Sequence, residues 1–336
     1  MVDELIINKH TNMLIIGKAA TQYGRGEIIY AEDPVAVADK YGESDLTTAF
    51  RQAKDLGAPA VFLMNMQKDQ DYFDALDILK QNDFAYIVFA TLMLSDTFQD
   101  VSHGGKTHSF FAYILGYLGR YHNSTLIVTD KHASLYEDID AFLTDMRKIQ
   151  DVFLGRCSDR ANLQNFIFVG NNLESYEMAS IPLAAALCSS QPNEYPLSDK
   201  FGKAIFRIDP WDAPLDMVYF RSDPARETTI ENLLNMLRPY NPEKVVFIDR
   251  ILKYLRREMD FTQFRGRVYS SYQKLLFNKT LVKYLDDMTG FIIKDYSIES
   301  INAYRDDPGT VVLIARISVQ PVNCLERCSL NVEAEL

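Results

Sequence analysis

A chain of 336 residues, 47% apolar and 24% charged, is long enough for two domains and apolar enough to bury a sizeable core. Its net charge of -11 argues against general nucleic-acid binding, because phosphate contacts need a basic surface. Four scattered cysteines (Cys157, Cys188, Cys324, Cys328) exclude a disulfide scaffold. With an acidic opening and no apolar run near the roughly 18 residues of a membrane helix, they place the chain in the cytoplasm.

Taken in order, the chain alternates strands and helices. Met13–Gly17 reads as a buried strand, followed by the turn Tyr23-Gly-Arg-Gly26 and a short strand, Glu27–Tyr30. Asp33-Pro34 starts a helix that ends near Tyr41-Gly42, and a second helix runs from Asp45 to Leu56. Ala60–Asn65, Tyr86–Ala90, Ser124–Thr129 and Asn165–Gly170 read as buried strands. Asp69–Gln81, Lys106–Gly119, Leu135–Asp151 and Ser175–Cys188 read as the helices between and after them. This alternation predicts a mainly parallel sheet flanked by helices.

The pattern breaks over 191–224, where five prolines (Pro192, Pro196, Pro210, Pro214, Pro224) predict a linker or insertion. A helix over Thr228–Leu237, a strand over Glu243–Ile248 and a helix from Asp249 to Met259 follow. A long helix, Phe264–Asp287, then closes before Gly290. Three apolar segments end the chain: Phe291–Ile298, Val311–Gln320 and Ser329–Leu336. The last two alternate apolar with polar residues, the period of half-buried strands. The predicted organisation is a short arm (1–12), an α/β body (13–225) and a smaller α+β module (226–336). A terminal strand with one apolar edge needs a sheet, in this chain or in another copy.

No catalytic constellation emerges, and no cofactor or metal site is expected. The glycines after Met13–Gly17 fall at Gly24 and Gly26 and lead into a strand, whereas the dinucleotide fingerprint leads directly into a helix. Gly105-Lys106-Thr107 ends like a phosphate loop, but Asp100 stands where that loop has its first glycine. His103-Gly-Gly suggests an oxyanion loop without the G-x-S-x-G elbow that would supply a nucleophile. The histidines (His10, His103, His108, His122, His132) lack metal-ligand spacing. The reading is therefore of a non-enzyme.

Local charge is more informative. Between Ile251 and Gly290 lie eight basic residues, Lys253, Arg256, Arg257, Arg265, Arg267, Lys274, Lys279 and Lys283, against four acidic ones. The stretch is net +4 in an acidic chain, either a solvated helix face or a docking face for an acidic partner.

The order of these pieces resembles the contractile-tail sheath proteins of myophages and phage-tail-like bacteriocins. One part of the likeness is Met13-Leu-Ile-Ile-Gly-Lys-Ala-Ala20, then Asp33–Gly42, the helix Asp45–Gly57 and Ala60–Asn65. Another is Val246–Arg256 with the helix to Asp287. A third is Gly290–Ser297, the strand ending Ser318-Val-Gln-Pro-Val322, and the final strand.

The resemblance implies a structural subunit that polymerises into rings or a helical tube around a tail tube and contracts by rigid-body movement. It implies that 323–336 is an exchanged arm, whose Ser329, Leu330, Val332, Ala334 and Leu336 pair with a neighbour's sheet. It makes the eight basic residues candidates for facing an acidic tube. Expected partners are other copies, the tube protein, and baseplate or terminator proteins, with no membrane and no direct nucleic acid. Assembly would occur in the host cytoplasm before incorporation into the tail.

The Pro-Gly-Val-Tyr arm common in sheath subunits is absent, and only Met1–Asn12 precedes the first strand. That departure implies a sheath-related ring or terminator at a tail end as the alternative. The reading from a different class is a Rossmann-like enzyme, with its site at the carboxyl ends of Met13–Gly17 and Ala60–Asn65.

Overall fold

The computed structural model describes residues 11–67, 79, 84–98, 100–103, 106–109, 124–156, 166–171, 178–190, 204–207, 216–221, 242–305, 310–322 and 328–335. The expected helices over 69–81 and 228–237, most of 106–119, and 323–327 and Leu336 of the expected terminal arm fall wholly or largely outside them. The chain divides into two units, 1–191 with 196–243, and 192–195 with 244–336. The boundary thus falls near 243, later than the 225 expected from the proline-rich stretch.

The first unit is built on an eight-stranded sheet. In chain order its strands are β1 (Asn12–Gly17), β2 (Ile28–Ala31), β3 (Ala60–Asn65), β4 (Tyr86–Phe89), β7 (Thr125–Thr129), β8 (Phe166–Val169), β9 (Ala204–Arg207) and β10 (Asp216–Arg221). Their order across the sheet is β2-β3-β1-β4-β7-β8-β10-β9. The six inner strands run parallel, while β2 and β9 are antiparallel edges. β5 (Asp100–His103) and β6 (Lys106–Ser109) form a separate hairpin.

Inner strands β1, β3, β4, β7 and β8 read as near-continuous apolar runs because both faces are covered. Every residue of β1, β4, β7 and β8 is buried. On one face Leu14, Ile16, Ile87, Phe89, Leu126 and Phe168 pack with Phe142, Met146 and Phe153 of helix α3 (Ile139–Arg156). Against the other lie α2 (Asp45–Asp55) and α4 (Ser180–Ser189). Residues 180–188 of α4 are all buried, as suits a helix apolar all round.

Local signals set these helices. α1 (Pro34–Tyr41) starts with Pro34, is capped by Asp33 accepting from the Val35 amide, and stops at Gly42, whose φ of 73° favours glycine. Ser44 caps α2 through the Thr47 amide.

Three expectations here are corrected. Lys106 begins a strand, because Gly104-Gly105 separates two short runs paired as Ser102 with Thr107 and His103 with Lys106. The proline-rich stretch is no mere linker: β9 and β10 extend the main sheet, with Pro210 and Pro214 between them. Glu243–Ile248 is helical, part of α5 (Pro242–Glu258). A run of four apolar residues fits a buried strand or a buried helix, and Pro242 at the first turn marks the helix.

The second unit packs α5 and α6 (Ser271–Met288) against a three-stranded antiparallel sheet in the order β11-β12-β13. These strands are β11 (Ile293–Arg305), β12 (Val311–Pro321) and β13 (Cys328–Glu335). The expected helix over 264–287 is shorter. A turn at Gly266 (φ 74°) interrupts it, and Ser270 caps the true start by accepting from the Gln273 amide. Ile251, Leu255, Phe264, Phe277, Leu281 and Leu285 form one core with Leu313, Ala315, Ile317, Val319, Leu330 and Val332.

Candidate assembly interface

The terminal sheet is the first candidate surface. Its middle strand pairs with β13 in register from Val312 opposite Glu335 to Val319 opposite Cys328. Leu330, Val332 and Ala334 are buried beneath it, and Asn331 and Glu333 face solvent, as the period-2 pattern requires. Within a single chain, then, the terminal strand is held by its own sheet. Ser329 pairs with Ser318, and Leu336 lies outside the described residues.

β11 pairs along the other side of β12, with register shifts at Ile293/Asp295 and Ile298/Ser300. Among the described residues neither β11 nor β13 carries a strand on its outer edge, so each presents an edge at which a further strand could add. The sheet is tied to α6 by the Tyr296 hydroxyl, which donates to Asp286 at 2.6 Å. That bond to a carboxylate, with lesser burial, pushes the Tyr296 pKa up to about 12.

The eight basic residues do not form one surface. Lys253 and Arg257 are 7% and 6% exposed and, like Arg256, already engaged within the fold, so a tube-facing role suits them poorly. Arg265, Arg267, Lys279 and Lys283 are exposed and Lys274 partly so. Phe264 is buried against Phe277, and the backbone turns outward after it, which puts 265–270 in solvent. Val268 and Tyr269 in this turn, and Tyr272 and Leu275 on the outer face of α6, are exposed. With a helix expected straight through Gly266, these apolar residues carry no signal of exposure in the sequence. That glycine and Ser270 were the signals for a break.

At the carboxyl end of β1, where a Rossmann-like site would lie, the chain fills the position itself. A Cβ on Gly17 would lie 2.6 Å from the Ala90 Cβ, so β1 and the chain leaving β4 touch there. The buried Asn65 amide accepts from the Ala19 N–H (3.1 Å) and donates to the Thr21 and Tyr23 carbonyls (both 2.9 Å). Gln67 donates to the Ala19 carbonyl and to Asn65 Oδ1 (2.9 and 2.7 Å).

The N–H groups of Ala20 and Thr21 donate to the Tyr41 carbonyl, and that of Gly26 to Asn65. A phosphate site needs such donors free. Here they are spent on the loop, a use that a lone Asn and Gln after a strand do not announce in sequence. At the other phosphate-loop candidate, Lys106 continues into a strand where such a loop requires a helix N-terminus.

Among the described residues no helix is long and apolar enough to cross a membrane. Nor do three His, Cys, Asp or Glu side chains gather as metal ligands would.

No protein-family model matches the chain, and no curated protein matches it in sequence. Among solved structures it is similar to a sheath tail protein from Listeria innocua. The TM-score is 0.51 at 10% identity, covering 96% of this chain and 94% of that one. A sheath tail protein from Desulfitobacterium hafniense gives 0.48 at 10% identity, covering 96% of both chains. The helical sheath of the anti-feeding prophage, in its contracted state, gives 0.48 at 9%, covering 97% and 90%. The Listeria match runs almost end to end, so this chain has the fold of a sheath tail protein.

Proposed function

We propose that this chain is a structural subunit of a contractile tail sheath. It polymerises with its own copies around a tail tube, and needs no catalytic group or cofactor to do so. The carrying observation is the end-to-end likeness to the Listeria sheath tail protein, which takes in both the parallel sheet and the terminal three-stranded module.

In this reading the terminal strand is an exchanged arm. The contacts it makes to β12 in one chain are the same contacts it makes in a neighbour's sheet, so exchange links copies without new chemistry. Arg265, Arg267, Lys279 and Lys283 are exposed and Lys274 partly so, which leaves this face able to meet an acidic surface, on the tube or on another copy. Contraction then moves rigid subunits joined by their arms, drawing on a metastable assembled state. Baseplate or terminator proteins would bound the tube, and assembly would precede incorporation into a phage tail or tail-like particle. A sheath-related end ring is the smaller version of the same proposal.

Negative-stain microscopy of the purified chain tests this reading. Rings or tubes are expected as concentration rises. A compact particle of one or two chains at every concentration would contradict it.

A further inference from the structure

The charge of this chain is divided unevenly along its length. Residues 244–336 carry 14 basic and 12 acidic side chains, net +2, which leaves -13 for residues 1–243. Between Asp260 and Asp286 there are five basic residues and no acid. Into this basic stretch the structure sets an exposed apolar cluster: Val268 (87% exposed), Tyr269, Tyr272 (68%) and Leu275 (51%). Tyr272, Leu275, Lys279 and Lys283 follow one another along the solvent face of α6, opposite the buried Phe277, Leu281 and Leu285.

A surface of the opposite kind lies on the first unit. Residues 27–45 hold six acids and one base. Glu43 is committed to Arg51 at 2.6 Å, and Lys40 sits over the Tyr23 ring. Glu32, Asp33, Asp39 and Asp45 are exposed around α1, and among them stands Val35, 67% exposed. An acidic surface with an apolar centre thus matches a basic surface with an apolar centre, net -5 against net +5 over 27–45 and 261–285.

We propose that the 265–283 face of one copy docks on the β2–α1–α2 corner of a second copy. Because the two surfaces differ, the contact is heterologous and propagates from copy to copy, closing into a ring or continuing as a helix. The apolar side chains supply the buried centre, and the charges fix orientation and register. The contact is independent of strand exchange and needs only pairs of copies, so its failure is distinguishable from a failure to form tubes.

The test is a photo-crosslinker in place of Tyr272 in the full chain, with isotopically light and heavy copies mixed. Crosslinks between light and heavy chains, mapping to 32–45, are expected. Their yield should fall at least tenfold at about 1 M salt, where the Debye length shrinks to about 3 Å. Arg265→Glu with Arg267→Glu should abolish them, and Glu32→Lys with Asp39→Lys in the partner copy should restore them. Crosslinks confined to one chain, no crosslinks, or a loss that body reversal fails to rescue would each overturn the proposal. So would crosslinks that appear only to an added acidic tube protein.

Discussion

Asn65 stands at the corner of the sheet where an open α/β fold most often takes a phosphate, and it spends its whole amide on the loop 19–23. Asn65→Ala leaves the buried Ala19 N–H and the Tyr23 carbonyl without the amide that pairs them, while Gln67 still donates to the Thr21 carbonyl, and should cost about 3 kcal/mol. Urea unfolding of the first unit would read this as a lower midpoint at unchanged slope. Tyr296 gives a second residue-scale expectation. Its folded pKa lies near 12 against an ordinary 10.0, because the proton it donates to Asp286 is held. The stability this adds is complete below about pH 10 and is lost as pH rises through about 12. Tyr41, raised to about 12 chiefly by burial, contributes over the same window. Alkaline unfolding followed with Tyr296→Phe should therefore show a smaller loss between pH 10 and 12 than the parent chain. Equal losses would remove that hydrogen bond from the account.

At the scale of elements, the strands buried on both faces were legible because nothing polar interrupts Met13–Ile16, Ala60–Met64 or Tyr86–Phe89. α1 and α2 were legible from their caps. The last two strands were legible from alternation over much of their length, and the structure places them within a residue of the expected bounds. Glu243–Ile248 was not, since a short apolar run carries no period and the burial that decides it comes from elsewhere in the fold. Which chain supplies the sheet for β13 was not legible either. Alternation specifies a face and leaves the owner of the neighbouring strand open. Leu330 is fully buried against β12 and the helices above it, so Leu330→Ala should destabilise the second unit by about 2–5 kcal/mol. Thermal unfolding followed by circular dichroism would register it. An unchanged transition would mean that β13 contributes little to the core of its own chain.

At the scale of the whole molecule, the proline-rich stretch drew the expected boundary to 225, whereas β10 returns to the main sheet and carries the first unit on to about 243. The basic residues of the second unit were legible as a count and not as a surface, since burial of Lys253 and Arg257 depends on packing. What joins copies is the central matter, and the exposed pair Arg316 and Asn331, opposite each other on β12 and β13, gives direct access to it. With Arg316→Cys and Asn331→Cys in one chain, mild oxidation after assembly links whichever two strands are paired. If the terminal strand is exchanged, non-reducing gels of assembled material will show a ladder of covalent multimers that reductant collapses. A single band at monomer size, from assemblies confirmed by microscopy, would show that each copy keeps its own strand and would contradict the exchange.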